Sequence, residues 1–265
     1  MPDRHLTLLT GASRGMGLAM AEQLVDAGHA LVCISRKTND ALAARARAAG
    51  VPLEQWPQDL ARAETAAARL QGWLAGQDST AFASITLINN AGLIPRIAPL
   101  GEIPAMQLAE AMRVDLEAPM LLTAAFLAAT GSWKAERKVL NISSGLGRRA
   151  MASQAPYCAA KAGMENLTGT LAVEWAPKVR VNSVVVGMVE TEQSELFYGD
   201  AESIAAISAE PTGTAARVFR RTSEIDPNMR ELSAETLCAR RRYQPSGLPL
   251  NRISKPAMSV RSQKS

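Results

Sequence analysis

Apolar and polar positions alternate along the chain in two recurring patterns. Short apolar runs bounded by glycine, proline or polar residues predict buried strands at residues 6–10, 30–35, 53–56, 84–89, 139–143 and 179–186. Longer alanine- and leucine-rich segments between them predict helices at residues 17–27, 40–49, 61–75, 106–130 and 155–175. The helix at 106–130 should bend or break near Pro119, because proline cannot continue the helical hydrogen bonding.

Strands separated by helices of this length predict a parallel sheet covered on both faces. We therefore expect one doubly wound α/β domain over residues 1–207. The apolar pattern decays after Ile207, where arginine, proline and serine become frequent. Residues 208–265 are accordingly predicted to form a basic, Pro/Arg-rich tail that diverges from the domain.

Composition excludes several classes of protein. The chain has 265 residues, of which 47% are hydrophobic and 20% charged, as in ordinary globular proteins. No apolar run approaches the ~18 residues of a membrane span, and the first residues lack a signal-peptide pattern, so we expect a cytoplasmic protein without membrane contact. The three cysteines are odd in number and widely separated, which predicts neither a disulfide framework nor a zinc cluster. The only two histidines, His5 and His29, are both near the N-terminus, and nothing in the sequence suggests a histidine-ligated metal site or a histidine-based hydrolase.

Charge is distributed unevenly along the chain. The net charge is +4, yet residues 208–265 hold 11 Lys/Arg against 5 Asp/Glu, so the rest of the chain is slightly acidic. An arginine-rich tail is a candidate for binding nucleic acid. It lacks interleaved aromatic residues and any known motif, and nucleic acid is therefore not an expected partner.

A glycine-rich turn between the first strand and the first helix is the first candidate site. Glycines at Gly11, Gly15 and Gly17 permit a tight turn and allow backbone N–H groups to approach a pyrophosphate at the helix N-terminus. The loop residues predicted to contact such a ligand also include Ser13, Arg14 and Met16. The spacing differs from the commoner Gly-x-Gly-x-x-Gly fingerprint, so the loop alone is weak evidence.

Three further motifs follow at suitable places. An Asn-Asn-Ala-Gly sequence at residues 89–92 closes the fourth strand, and Ser144 ends the fifth. Tyr157 and Lys161 open the next helix, and their spacing puts them on one helical face, one turn apart. Each motif is common by chance, whereas their joint occurrence in this order is not.

Together, these motifs resemble those of the short-chain dehydrogenase/reductase family, over about residues 6–207. The resemblance implies a Rossmann-type fold and hydride transfer between a nicotinamide cofactor and a carbonyl or alcohol. It implies that Tyr157 is the general acid or base and that Ser144 binds the substrate oxygen, with Ser143 as the adjacent alternative. Lys161 would hold the nicotinamide ribose and lower the tyrosine pKa, which is about 10 in a free side chain.

The same resemblance implies further cofactor contacts after the other strands. They comprise Asp59 at the adenine, Asn90, Ala91 and Gly92 after the fourth strand, and Gly187, Val189 and Thr191 after the sixth. Val186 stands where the family often has proline. Residues 192–207 would then form a mobile lid over the substrate.

Cofactor choice follows from the charges after the second strand. Sites that prefer NAD usually carry an acidic residue there, which binds the ribose 2′-hydroxyl. This chain instead has Arg36 and Lys37, and Arg14 in the glycine loop adds a second guanidinium. We therefore expect NADP(H) to be favoured over NAD(H).

Asp115 departs from the family pattern at a catalytic position. The family usually has asparagine in a Val-Asn-Leu context, where it helps to place a water in a proton relay, and this chain reads Val114-Asp115-Leu116. Asp115 either substitutes in that relay or raises the tyrosine pKa through like-charge repulsion. Both interpretations stay open from the sequence.

The tail is the second departure. The family normally ends with a helix, a seventh strand and a glycine-pair turn, and residues 209–265 show no such block. Its loss predicts an exposed edge on the sixth strand. The resemblance implies a homodimer or homotetramer built on helices 106–130 and 155–175. Two functions remain: a reductase of small carbonyl compounds, similar to 3-oxoacyl-thioester or carbonyl reductases, or a non-catalytic nicotinamide-binding protein.

Overall fold

A parallel sheet is the central element of the fold. In the computed structural model, which describes residues 4–187 and Val189, the sheet has six strands in the order β3-β2-β1-β4-β5-β6, all parallel. The strands are β1 (His5–Thr10), β2 (Ala30–Ser35), β3 (Leu53–Pro57), β4 (Ser84–Asn89), β5 (Glu136–Ser144) and β6 (Val179–Val186). This arrangement confirms the predicted doubly wound sheet.

Helices connect successive strands. They are α1 (Gly15–Asp26), α2 (Asp40–Ala48), α3 (Ala63–Ala75), α4 (Ala105–Met112), α5 (Ala118–Ala129) and α6 (Ala155–Trp175). α1 packs beside α2, and α3 packs beside α5. Because crossovers between parallel strands are right-handed, the reversal of strand order after β3 brings helices to both faces of the sheet.

The reversal point lies between β1 and β4. From β1 the chain builds outward through β2 and β3, and it then returns to the other side of β1 for β4, β5 and β6. Thr10 ends β1 and Asn89 ends β4, so both mark the carboxyl edge of the sheet at this point. Ligands of open α/β sheets bind at such a crevice.

The central strands are buried on both faces, which explains their uninterrupted apolar runs. Every residue of β2 is buried. Leu8, Ile34 and Leu87 on three neighbouring strands are fully excluded from solvent, as is Phe126 on α5. These residues belong to one hydrophobic core cluster.

The interruption of the long helix confirms a sequence prediction and refines it. Residues 113–117 form a π-helical turn between α4 and α5, and Pro119 lies in the first turn of α5. Proline lacks an N–H, and its ring clashes with the carbonyl four residues earlier, which is that of Asp115. The wider π turn relieves this clash, and turns of this kind occur often at functional sites.

β5 starts before its predicted first residue, and β6 is the last strand of the described sheet. β5 begins at Glu136, three residues before the predicted start. The prediction missed these residues because the charged run from Glu136 to Lys138 lacks the apolar pattern of a buried strand. Its Arg137 is buried and donates from Nη1 to the Thr130 carbonyl at 3.1 Å. Among the described residues β6 is an edge strand. The expected lid, the boundary at residues 207/208 and the tail lie outside the described residues.

Candidate active site

The β1–α1 turn is built from backbone conformations that favour glycine. Gly11 has φ +72° and Gly15 has φ +54°, values that residues other than glycine rarely adopt. The Gly11 N–H donates to the Ile34 carbonyl at 2.8 Å, which ties the turn to β2. α1 starts immediately afterwards, and its N-cap residue, Arg14, makes no side-chain capping bond to the first turn. The first-turn N–H groups are thus left uncapped by Arg14.

Gly17 fills a different role, because the contact it makes has no room for a side chain. A Cβ at this position would lie 2.0 Å from the Gly11 carbonyl oxygen and 2.5 Å from Nδ2 of Asn90. The first turn of α1 therefore packs directly against backbone. Only a residue without a side chain lets the helix and the strand approach each other this closely.

Thr10 and Asn90 join the glycine turn to the end of β4. The Thr10 hydroxyl accepts hydrogen bonds from the N–H groups of Asn90 and Ala91, both at 2.9 Å. In return, Nδ2 of Asn90 donates to the carbonyls of Thr10 at 2.9 Å and Gly11 at 3.3 Å. Asn90 thus holds the turn in place. Thr10 was not singled out from the sequence, although it directly precedes the first glycine.

Other side chains brace the turn from β2. The N–H of Ala12 donates to Oγ of Ser35 at 2.8 Å, and Nδ2 of Asn39 donates to the Ser13 carbonyl at 3.1 Å. Asn39 also caps α2 by accepting from the Leu42 N–H at 2.9 Å. Neither Ser35 nor Asn39 was identified from the sequence. The capping pattern before α2 gives a signal for Asn39, but only its position in space shows the bond to the loop.

The residues predicted to select the cofactor lie at the solvent-exposed side of the glycine turn. Arg14 and Arg36 are exposed, whereas Met16 is half-buried. Arg36 directly follows Ser35, whose hydroxyl accepts a hydrogen bond from the Ala12 N–H in the glycine turn. Arg14 and Arg36 therefore lie at the same corner of the sheet. Asp59 is exposed after β3, and its carboxylate accepts from the Ala61 N–H at 3.0 Å.

The end of β5 distinguishes between the two candidate serines. Ser143 is buried, with 1% exposure, whereas Ser144 is half-buried. Oγ of Ser144 accepts from the Leu146 N–H at 3.2 Å and so caps a short 3₁₀ turn. Exposure therefore favours Ser144 as the serine that can reach a ligand.

Tyr157 and Lys161 lie where their spacing predicts, in the first two turns of α6. Nζ of Lys161 is 5.5 Å from the centre of the Tyr157 ring. Lys161 is 4% exposed, and its ammonium donates to the Ile142 carbonyl of β5 at 3.2 Å. A buried ammonium is thereby fixed between β5 and α6 beside a half-buried phenol.

Asp115 joins this pair from the π turn. Its Oδ1 accepts from the Leu93 N–H at 3.0 Å and lies 3.7 Å from Nζ of Lys161. Gly92 leaves room for both groups, since a Cβ there would lie 3.0 Å from Oδ1 and 3.7 Å from Nζ. The structure therefore brings the loop after β4, the π turn and α6 together at one buried ion pair.

Burial raises the pKa of Asp115 from its ordinary value of 3.8 to about 6. The nearby ammonium of Lys161 and the N–H of Leu93 act in the opposite direction by stabilising the carboxylate. Asp115 is 0% exposed and therefore loses nearly all of its hydration, which explains why desolvation dominates.

A chain of buried amide and hydroxyl groups supports the site from beneath. Nδ2 of Asn89 donates to Oδ1 of Asn141 at 2.8 Å, and Nδ2 of Asn141 donates to Oγ1 of Thr168 at 2.8 Å. Oγ1 of Thr168 donates in turn to the Met164 carbonyl at 2.7 Å. This chain fixes β4, β5 and α6 relative to one another. The sequence places these residues on separate elements and gives no sign of their contact.

The predicted contacts after β6 are only partly described. Gly187 directly follows the strand, and Val189 is half-buried. Thr191 lies outside the described residues. Over residues 4–187 and 189, no group of three or more histidine, cysteine, aspartate or glutamate side chains is arranged to hold a metal ion. No helix in this part of the chain is both long and apolar enough to cross a membrane.

Comparison with known proteins decides the family. The family model of short chain dehydrogenases matches residues 5–199, which include every motif placed above at the carboxyl edge. The chain belongs to the short-chain dehydrogenase family. It is 32% identical over 196 residues to benzil reductase, (S)-benzoin forming, from Bacillus subtilis, and the match covers 73% of this chain and 78% of that protein.

Solved structures agree with this short-chain dehydrogenase fold. One is a proposed NAD(P)-dependent gluconate 5-dehydrogenase from Beutenbergia cavernae with NADP bound at low occupancy, with a TM-score of 0.69, 30% identity and coverage of 80% of this chain and 84% of that chain. Another is 3-oxoacyl-[acyl-carrier protein] reductase from Brucella melitensis in complex with NAD, with a TM-score of 0.67, 26% identity and coverage of 79% and 81%. Both nicotinamide cofactors thus occur among similar structures.

Proposed function

We propose that this short-chain dehydrogenase reduces a small or medium-sized carbonyl compound with NADPH, using Tyr157 as the proton donor. The observation that carries the proposal is the buried ammonium of Lys161, fixed 3.2 Å from the Ile142 carbonyl and 5.5 Å from the Tyr157 ring centre. A lysine is seldom buried without a partner or a task. Here it lies beside a phenol at the carboxyl edge of the sheet, where ligands of this fold bind.

The β1–α1 turn fits a dinucleotide. Gly11 and Gly15 have positive φ, and Gly17 lets the start of α1 approach the strand, so backbone N–H groups are available to an anion at the helix N-terminus. Arg14 and Arg36 leave the same corner and are suited to a ribose 2′-phosphate. Residues 90–92 and Lys161 would hold the nicotinamide half.

In this mechanism the bound cofactor supplies the hydride to the carbonyl carbon. Ser144 donates a hydrogen bond to the substrate oxygen and orients it. Tyr157 transfers its phenolic proton to that oxygen as negative charge develops there. Lys161 stabilises the resulting phenolate electrostatically, and the phenolate regains a proton from water. Oxidation of an alcohol uses the same groups in reverse.

Parallel thermal-shift titrations with NADPH and NADH test the choice of cofactor. At about a hundred times its dissociation constant a ligand adds about 2.7 kcal/mol to stability, which is easily measured. We expect NADPH to raise the Tm more than NADH does at equal concentration. Arg36→Ala should reduce the NADPH shift and leave the NADH shift unchanged. Arg47→Ala, an exposed arginine in the last turn of α2, is the matched control.

Equal shifts with both cofactors, or an NADPH shift that Arg36→Ala leaves intact, would contradict the choice of NADPH. Absence of a shift with either cofactor would contradict nicotinamide binding itself.

Turnover of a carbonyl panel tests the reaction. Because a similar protein is named benzil reductase, the panel includes an aromatic diketone as well as acyl-thioester and sugar-derived ketones. Tyr157→Phe should lower kcat by about a hundredfold or more and leave cofactor binding nearly unchanged. Lys161→Met should damage both. A wild-type protein that binds NADPH but turns over none of these compounds would favour the non-catalytic binding protein.

We also propose a homodimer or homotetramer that uses the long helices. Four large apolar side chains on them are exposed: Met106 by 79%, Met112 by 36%, Met120 by 45% and Val173 by 83%. Exposed apolar side chains on neighbouring helices suit a subunit contact. Light scattering should show an oligomer that Val173→Asp weakens, and a wild-type monomer would contradict the assembly.

A further inference from the structure

Asp115 is the most deeply buried charge in the site and has no part in the mechanism above. Among the buried residues that the structure describes, it is the only acidic one, at 0% exposure. Its Oδ1 is used by the Leu93 N–H and by Lys161, while Oδ2 has no hydrogen-bond partner within the described part of the chain. Burying a carboxylate in this way is costly, so its position calls for a functional reason.

Asp115 and Lys161 form a buried pair of opposite charges. On α6 the next acidic residue, Glu165, is paired with Arg148 in a 2.5 Å contact. The charged neighbours of Asp115 on its own turn, Arg113 and Glu117, are both exposed. The neighbours of the pair include uncharged backbone groups: the Leu93 N–H at Asp115, the Ile142 carbonyl at Lys161, and Gly92 beside both. Lys161 lies 5.5 Å from the Tyr157 ring centre and 3.7 Å from Oδ1 of Asp115, so both charges of the pair are close to the phenol.

The two charges act on the phenol in opposite directions. An ammonium beside Tyr157 favours the phenolate, whereas a carboxylate that compensates the ammonium favours the protonated phenol. With asparagine in place of Asp115, only the ammonium would act. With aspartate, the pair is electrically neutral whenever the carboxyl is ionised.

We propose that Asp115 compensates the charge of Lys161 and thereby keeps the Tyr157 phenol protonated at neutral pH, which favours proton donation and hence carbonyl reduction over alcohol oxidation. This inference rests on the proposed function for the role of Tyr157. In the favoured direction the phenolic O–H bond breaks as the alcohol O–H bond forms, and the phenolate then regains its proton from water. Asp115 acts through Lys161 and is therefore a positioning residue.

The titration of Asp115 agrees with this role. Burial places its pKa at about 6, so the carboxylate is formed above that pH and the compensation is present under neutral and alkaline conditions. In more acidic solution the carboxyl is neutral, but there the phenol is protonated in any case. The compensation is therefore available over the pH range in which the phenol would otherwise ionise.

The decisive experiment is an ultraviolet titration of tyrosinate in the full chain without cofactor. The chain has three tyrosines, and subtracting the curve of Tyr157→Phe isolates the signal of Tyr157. Asp115→Asn keeps an oxygen that can accept from the Leu93 N–H but removes the charge. We expect it to lower the ionisation midpoint of Tyr157 by about one pH unit. An unchanged or higher midpoint in Asp115→Asn would overturn the proposal.

A measurement on the wild-type chain keeps the test open if Asp115→Asn does not fold. A wild-type Tyr157 that ionises below about pH 8 would overturn the proposal without any variant. Since neither titration uses cofactor or substrate, a failure here is distinct from a failure of the proposed function, which shows as missing NADPH binding or turnover. In turnover with saturating substrate and cofactor, Asp115→Asn should raise kcat for alcohol oxidation relative to kcat for carbonyl reduction at neutral pH, and an unchanged ratio of the two kcat values would count against the bias.

Discussion

The glycine turn and the charged pair are neighbours at the same sheet edge, yet they are built in different ways. The turn at residues 10–17 uses backbone: positive φ at Gly11 and Gly15, and the missing side chain of Gly17. The pair uses side chains, with Asp115 and Lys161 buried together at 0% and 4% exposure. The turn is assembled mainly from local sequence, whereas the pair joins residues 46 positions apart in the sequence.

The difference predicts how each part fails. A glycine turn fails sterically, because an added atom meets backbone that cannot move away. A buried ion pair fails electrostatically, because the loss of one partner leaves the other charge without compensation. Substitutions in the turn should therefore be insensitive to pH, whereas those in the pair should depend on pH and be correctable by a second substitution.

Removing Lys161 should have the largest effect on stability. Lys161→Met leaves the carboxylate of Asp115 buried beside an apolar side chain and removes the donor to the Ile142 carbonyl. We expect a loss of about 4 kcal/mol in the free energy of unfolding at neutral pH. Urea denaturation measures it, and Tyr157→Phe, which keeps the pair, is the control and should lose much less.

The double variant Lys161→Met/Asp115→Asn sharpens this test. If the loss is electrostatic, removing the second charge should restore most of it. A double variant as unstable as Lys161→Met would show that packing of the lysine, and not its charge, stabilises this part of the molecule.

The corresponding test in the turn is Gly17→Ala. Its Cβ would lie 2.0 Å from the Gly11 carbonyl oxygen, so α1 must move away from the strand. We expect a loss of about 3 kcal/mol in the free energy of unfolding, independent of pH, together with loss of the NADPH thermal shift. Gly72→Ala in α3 is the matched control, because nothing lies within 4 Å of its Cβ. It should gain about 0.5 kcal/mol. A Gly17→Ala protein as stable as wild type would contradict the close approach.

These two tests also separate what the sequence predicts from what it does not. The strands at 30–35, 84–89 and 179–186 have the predicted bounds because they are apolar runs between clear breaks. The glycine turn was also predicted, because the residues that form it are close together in the sequence. The sequence did not predict the contact of Asp115 with Leu93, or the donation from Lys161 to Ile142, because both depend on how separate elements pack. Pro119 indicated a break, but not that a π turn would place Asp115 beside the lysine.

The pH dependence of stability gives a smaller and more specific effect. The folded protein holds the proton of Asp115 more tightly than the unfolded chain does, because its pKa is about 6 against 3.8. This contribution to stability is full below the unfolded value and is lost as the pH rises through 6. Between about pH 5 and about pH 7 it amounts to about 1.3 kcal/mol. Asp115→Asn should lack this loss, and an unchanged difference between the two proteins across the window would contradict the raised pKa.

A second titrating group, His29, lies at the amino end of β2, away from the glycine turn. Burial, together with the charges of His5 and Lys138, lowers the pKa of His29 from 6.5 to about 4. His29 stacks on His5 with a centroid distance of 4.9 Å, and its Nδ1 lies 3.1 Å from Oγ1 of Thr7. The unfolded chain therefore binds this proton more readily, and stability is full above pH 6.5 and falls as the pH falls towards 4.

Asp115 and His29 change the stability in opposite directions between pH 5 and pH 7. After allowance for solvent screening of a half-buried ring, His29 should lose about 1 kcal/mol between pH 7 and pH 5, nearly what Asp115 gains over the same interval. The wild-type protein should therefore show little net dependence on pH there, because the two contributions offset each other. His29→Gln should then be more stable at pH 5 than at pH 7, and Asp115→Asn the reverse. Parallel slopes for the two variants would mean that neither group controls the window. Opposite slopes would show that Asp115 and His29, at opposite ends of the sheet, respond separately to protons.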